Sequence, residues 1–427
     1  MGQKKKVLII AYYWPPAGGP GVQRWLKFVK YLPEFGIEPI VLVPDAAYYP
    51  TIDSNLSHEV SPVLEVHRVN IKEPSRFLRM FWPNKTAHLS DGGLSSNSMS
   101  IFTKLLVYIR GNCYIPDARV GWVNPAFAQV QQILQKHPDL NTIITTGPPH
   151  SLHLIGLKVK AKYQHLRWIA DFRDPWTAIK YHKNLRLSGK SQIKHKSLER
   201  EVLMSADQIL TSSWHTANSF KSITNKPVEV LTNGFDPSDF DSPAVRDDKF
   251  SMTHVGALLP DRNPVILWQC IYQFLKLRPK AQSKLEIRLV GAVDQTVINE
   301  LKTLNLMKYT TLFGVLDHKS AVSQMMNSKL LFLVESENHV IPGKLFEYLN
   351  TGNIIAAVTP DNSDVSSILT NYPHSFMLSD DLHQNCARLC AYYDQFEQGL
   401  SNKEVYNSSL YDRKSITSRL VQLLIVN

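Results

Sequence analysis

Short, continuous apolar runs alternate with stretches of helical spacing along most of the chain. In the first half the runs fall at 7–11 (VLIIA), 37–43, 141–147, 166–172, 206–213 and 228–234. Runs of this length, bounded by turn residues, suit strands buried on both faces. Between them, positions 22–32, 124–136 and 150–163 repeat apolar residues every three to four places, as amphipathic helices do. A second series begins at 250–258 and continues at 285–291, 309–315, 329–336 and 353–359, with helical stretches at 265–277 and 296–304. Strand–helix–strand units at this spacing predict right-handed crossovers and parallel sheets. Two such series in 427 residues predict two doubly wound, Rossmann-like α/β domains, 1–232 and 233–405, with 406–427 as a C-terminal helix crossing back to the first. The cleft between the domains is the expected binding site.

Two places in this pattern carry chemistry. After the first strand comes YYWPPAGGPGVQRW (12–25), which puts Gly18, Gly19 and Gly21 in a strand-to-helix turn. Bare backbone there lets a ligand approach and lets free N–H groups meet an anion. The spacing is not GxGxxG, and Val43 leads directly to Pro44, so a dinucleotide cofactor is not expected. The second place is ENHVIPGKLFEYLNTGNIIAAV (337–358). Pro342 and Gly343 open a helix that Gly352 closes. Its first turn offers the N–H groups of Gly343, Lys344 and Leu345 beside the Lys344 ammonium, which suits a diphosphate. Glu347, one turn on, would accept hydrogen bonds from a ribose diol, or is simply solvated.

Charge and cysteine content narrow the partners. The formal charge is +10, which favours an anionic ligand or surface. The basic residues are dispersed and match no nucleic-acid module, so nucleic acid is disfavoured. Cys113, Cys270, Cys386 and Cys390 have no paired spacing, as expected of a reduced, cytoplasmic protein. No apolar run reaches the length of a membrane span. The start, MGQKKKVLIIAYYWPP, imitates a signal peptide but has too short an apolar part and no cleavage site. Lys6 also argues against myristoylation of Gly2. The segments 76–82 and 101–110 are aromatic and apolar with interspersed Arg and Lys, around a polar loop at 84–100. They read either as a helical hairpin on the first domain or as a surface resting on anionic lipid at the inner face of the cytoplasmic membrane.

Four stretches in order resemble the GT4 family of retaining glycosyltransferases with the GT-B fold: the loop at 12–25, LTNGFDPSDF (231–240), THVGALLPDRNP (253–264) and PGKLFEYLNTGNIIAAV (342–358). The resemblance implies transfer of a sugar from a nucleotide diphosphate to a glycan or lipid-linked glycan acceptor in surface polysaccharide biosynthesis. Uridine diphosphate is the commonest donor in the family, and no cofactor or metal is expected. It implies that Gly19, Gly21, Gly256 and the backbone near Val315 approach the donor with Gly343, Leu345 and Glu347. Lys344 and Arg262 would be the cations that stabilise the leaving diphosphate. Two departures stand out. His339 occupies the place of the first of two family glutamates, and Ala257 and Asn263 replace the usual Arg and Lys, so Arg262 is the substitute cation or an ordinary surface residue.

In the first domain, WIADFRDPW (168–176) places Asp171, Arg173 and Asp174 at a strand's carboxyl end, where ligands of open α/β sheets bind. Asp171 stands near a family histidine that contacts the donor sugar, and Arg173, Asp174 and His150 are candidates for the acceptor. A structural Asp–Arg–Asp network, with His150 as a plain helix-start residue, is the competing reading. A nucleotide-sugar epimerase and a non-catalytic nucleotide or glycan binder share the expected architecture.

Overall fold

The apolar runs become two wholly parallel sheets in the computed structural model, which describes residues 4–71, 73, 101–179, 182, 184–241, 248–400 and 406–425. The segments at 76–82 and 84–100 lie outside the described residues. The chain folds as two compact units, Met1–Thr232 with Ile416–Asn427, and Asn233–Ser415.

The first unit contains β1 (Lys5–Ile10), β2 (Ile37–Asp45), β3 (Glu65–Asn70), β4 (Thr142–Gly147), β5 (Arg167–Phe172), β6 (Gln208–Thr211) and β7 (Val228–Val230), in the order β3-β2-β1-β4-β5-β6-β7. All six residues of β4 are buried, as expected for a strand sandwiched between helix layers. The β3 strand was not foreseen, because EVHRVN mixes charge with half-buried positions at the sheet edge. The C-terminal helix Arg413–Ile425 places Ile416, Leu420, Val421 and Leu424 in this unit's core. Its carbonyl at Leu423 accepts from Arg167 Nη1 at 2.6 Å.

The second unit contains β8 (Phe250–Val255), β9 (Leu285–Val290), β10 (Thr310–Gly314), β11 (Leu330–Val334), β12 (Ile354–Val358) and β13 (Ser375–Met377), ordered β10-β9-β8-β11-β12-β13. The three-residue β13 also escaped the periodicity argument, being too short to show one. In both units the strand order reverses once, between β1 and β4 and between β8 and β11. A doubly wound sheet opens a crevice at the carboxyl ends of its strands where this happens.

Candidate active site

The crevice of the second unit is floored by three glycines. Gly256, Gly291 and Gly314 stand at the carboxyl ends of the adjacent strands β8, β9 and β10, with φ of 122°, 126° and 65°. Such angles are strained for any residue with a Cβ. They are coupled in series: the Gly256 N–H donates to Val290 O at 2.7 Å, and the Gly291 N–H to Gly314 O at 2.7 Å. A Cβ on Gly291 would lie 2.5 Å from Gly256 O. Gly291 was not singled out from the sequence. The signal was there, since three successive strands end HVG, LVG and LFG.

Lys344 reaches over this shelf. A Cβ on Gly256 would meet Lys344 Nζ at 2.9 Å, so the glycine makes room for the ammonium. Nζ lies 3.1 Å from His254 Nε2, and His254 Nδ1 is 2.9 Å from Phe332 O on β11. A carbonyl can only accept, so Nδ1 carries the proton and Nε2 accepts from the lysine. Burial first, and then the adjacent Lys344 charge, hold His254 well below its ordinary value and keep it neutral. Burial and the Arg262 charge push Lys344 down to about 7, against the pull of Glu335 and Glu347. His254 was missed in the sequence because a histidine inside a strand looks like any core residue.

Arg262 belongs to a short turn, Pro260–Arg262, after β8. Its Nη2 lies 3.4 Å from Glu335 Oε2, with the glutamate side chain fully buried and the arginine partly exposed. Glu335 Oε1 accepts the N–H groups of Ser336 and Glu337 at 2.9 and 3.2 Å. Burial raises the Glu335 carboxyl, and Arg262 opposes the rise. His339, three residues beyond Ser336, lies 3.2 Å from Glu337 Oε2.

The helix Lys344–Thr351 starts at Gly343 and ends at Gly352 in the left-handed conformation. Leu345, Phe346, Tyr348 and Leu349 bury one face of it, and Val255 N–H donates to Tyr348 Oη at 2.9 Å, pinning the helix to the end of β8. Nothing lies within 4 Å of the position a Gly343 Cβ would take, so the helix start is not plugged. Of the three N–H groups expected to face a phosphate, that of Leu345 donates to Pro342 O at 3.0 Å and its side chain is buried. The N–H groups of Gly343 and Lys344 make no hydrogen bond among the described residues. One turn on, Glu347 Oε1 is 3.8 Å from His318 Nε2, which also lies 3.2 Å from Asp239 Oδ2. Burial raises the Glu347 carboxyl, with His318 opposing. Val315, just past Gly314, is exposed. The second unit therefore brings Gly256, Arg262, Gly343, Lys344 and Glu347 into one crevice.

The first unit corrects two expectations. Asp171 is fully buried and has four donors: Arg24 Nη2 and Nε, Trp25 Nε1 and Thr146 Oγ1 donate to it at 2.8, 3.3, 2.8 and 2.8 Å. Burial alone would raise its carboxyl, but the Arg24 charge and these hydrogen bonds hold it below its ordinary value. It is the fully buried counter-ion of Arg24 rather than a partner of Arg173, and with its side chain wholly enclosed it offers no surface to a sugar. Arg173 spends its guanidinium on carbonyls, those of Gly21 (2.8 Å), Gly147 (3.4 Å) and Pro148. It clasps two turns together instead of reaching for an acceptor. Gly21, expected to face the donor, faces Arg173 as well: a Cβ there would meet its Nη1 at 2.8 Å.

Gly19 does fit the original reading in shape, with φ of 90° and open space where a Cβ would stand. His150 begins the helix Ser151–Lys162, is buried, and stacks on Trp176 with ring centres 5.1 Å apart. Burial is the main reason that its pKa falls well below the ordinary value. The N-terminal N–H of that helix, on Ser151, is capped by Asp117 Oδ2 at 2.9 Å. Asp174 is half-buried.

Two sheets of seven and six parallel strands with this geometry are the GT-B fold, and solved structures bear this out. The chain resembles sucrose-phosphate synthase from Thermosynechococcus elongatus over 98% of both chains, with 13% identity and a TM-score of 0.62. It resembles Anabaena HepE in complex with UDP over 98% of this chain and 99% of that one, with 13% identity and a TM-score of 0.61. Staphylococcus aureus TarM, in complex with UDP and glycan ligands, matches over 99% and 100% with 10% identity and a TM-score of 0.61. No protein-family model and no curated protein sequence matches the chain.

Proposed function

We propose that this protein is a retaining glycosyltransferase of the GT4 type that moves a hexose or acetamido-hexose from a nucleotide diphosphate, UDP first among candidates, to a glycan or lipid-linked acceptor of surface polysaccharide. Lys344 carries the reading: a half-buried ammonium with no carboxylate bonded to it among the described residues, held by His254 beside the Gly256 shelf at the start of a helix. Glu335 and Glu347 act on this ammonium only without a direct bond, and a diphosphate supplies a contacting anion. The UDP complexes of HepE and TarM support the same class of ligand.

In this reading the bond between sugar C1 and the phosphate oxygen breaks, and its electron pair goes to the diphosphate. Lys344, Arg262 and the N–H groups of Gly343 and Lys344 meet the charge that develops there, while Glu347 takes the ribose diol. Preorganised donors of this kind contribute about 3–4 kcal/mol each to a transition state. The acceptor hydroxyl takes the sugar and gives its proton to the departing diphosphate oxygen. A metal is not part of the proposed machinery.

Incubation with a panel of nucleotide sugars and glycan acceptors tests this. Free nucleotide diphosphate should appear only when an acceptor is present, and Lys344→Ala should abolish it. An epimerised nucleotide sugar formed without acceptor, or binding without any turnover, would overturn the transferase reading.

A further inference from the structure

Two segments far apart in sequence are joined on the first unit in a way that exposes apolar side chains among lysines. The helix Ile101–Cys113 buries Val107 and Gly111. Its opposite face is turned to solvent, with Leu105 53%, Tyr108 46% and Ile109 38% exposed. Side chains at i, i+3 and i+4 form one stripe, so this is an apolar face pointing outward, the reverse of an ordinary surface helix.

Gly111 explains the helix's seat. A Cβ there would lie 2.6 Å from Leu185 O and 2.9 Å from Leu187 Cδ2. Asn112 then ties the two segments together, accepting from Ser188 N–H at 2.7 Å and donating to Arg186 O at 3.2 Å. Ser188 is the N-cap of the next helix, Gly189–Ser205. That helix exposes Ile193, at 70%, between Lys190, Lys194 and Lys196, which are all exposed.

The exposed charge of this region is mostly positive: on the second helix Glu199 is buried and Glu201, in the last turns, is its one exposed acid. No Asp or Glu occurs from 101 to 116, and none from 175 to 198. Lys104, Lys190 and Lys194 form no ion pair among the described residues. No described helix is long and apolar enough to cross a membrane. Apolar side chains flanked by lysines, with an excess of positive charge, match the interfacial zone of a bilayer whose headgroups are negative: the side chains enter the acyl boundary while the ammonium groups stay with the phosphates.

We propose that the joined helices Ile101–Cys113 and Gly189–Ser205 form a docking face for an anionic lipid leaflet, through Leu105, Tyr108, Ile109 and Ile193 with Lys104, Lys190 and Lys194. This deepens the reading of a lipid-linked acceptor and rests on it for its purpose. It brings the enzyme to the surface on which such an acceptor is anchored.

Co-sedimentation of the full chain with phosphatidylglycerol-containing vesicles and with pure phosphatidylcholine vesicles tests it, alongside turnover with a water-soluble acceptor. Binding should require the anionic lipid and fall as salt rises. Lys190→Glu with Lys194→Glu should weaken it roughly tenfold or more, and so should Leu105→Ser with Ile109→Ser. Both double variants should melt at the parent's temperature, since the side chains are exposed, and both should keep soluble-acceptor turnover. Several results would sink the docking face: no vesicle binding by the parent, equal binding by both variants, tighter binding to a DNA duplex, or a parent dimer that Leu105→Ser with Ile109→Ser dissolves. None of these depends on whether transfer occurs, so loss of the docking face and loss of the transferase reading are separately visible.

Discussion

Lys344 Nζ and His254 Nε2 lie 3.1 Å apart with the histidine as acceptor, which makes a neutral imidazole the holder of the site's half-buried cation. The geometry is fixed from behind by the Phe332 carbonyl on Nδ1. His254→Phe should keep the ring's volume while removing the acceptor. Donor affinity should fall by about 10- to 150-fold, the worth of one hydrogen bond to a charged group, with a smaller change in melting temperature. Calorimetric titration with UDP reads this, and unchanged affinity would show that His254 does not position the lysine.

The same pair sets a pH dependence. Lys344 sits near 7 in the free protein, far below an unfolded lysine, because burial and Arg262 disfavour its charge. A diphosphate binds the charged form, so above about pH 7 the complex must take up a proton. Donor affinity should be flat below pH 6 and weaken by up to ~10-fold per pH unit above 7. Lys344→Arg, charged throughout, should remove that slope. The sign for folding is opposite to that of a stabilised cation: the depressed pKa costs stability while the lysine is charged, and the cost is relieved as pH rises from 7 towards the unfolded value.

Gly343 and Gly256 separate binding from folding. Gly343 has φ of −56° and open space beyond it, so Gly343→Ala should leave stability unchanged or raise it by up to ~1 kcal/mol. Its methyl would stand where a phosphate approaches, and UDP affinity should drop. Gly256→Ala should lose both, because φ of 122° is strained for alanine and the methyl meets Lys344 Nζ. Thermal melts with and without UDP check the contrast.

Asp171 and Arg24 form a fully buried ion pair at 2.8 Å. Asp171→Ala would leave the guanidinium buried without its anion, costing about 3–5 kcal/mol and much of the folded yield. Asp171→Leu with Arg24→Met should recover part of it. Since the Asp171 carboxyl is held below its ordinary value, its stabilising contribution is complete above about pH 4 and is lost only as pH falls through the lowered folded value. Acid titration of the melting temperature, parent against double variant, reads this directly.

Periodicity and apolar run length made eleven of the strands and several helices legible, because a strand buried on both faces must be apolar throughout and a helix on a sheet must be amphipathic; the two longest helices, Gly189–Ser205 and Leu382–Glu397, were not read from it. The edge strands Glu65–Asn70 and Ser375–Met377 were not legible: half-exposed or very short strands carry no such constraint. In the site, Lys344, Gly343 and Glu347 could be read from local rules, since a Pro-Gly helix start beside a lysine is a local arrangement.

What only the tertiary structure decided is which polar side chains are already spent. Asp171 and Arg173 looked equally free in WIADFRDPW, yet one neutralises Arg24, 147 positions earlier, and the other clasps Gly21 and Pro148. His254, Gly291 and Glu335 gained their roles the same way, through neighbours on other strands. The sequence determined the two parallel sheets because burial writes itself into residue type along the chain. It could not determine the partner of each charge, because a buried ion is neutralised by whatever the folded backbone brings within about 3 Å, and sequence distance says nothing of that.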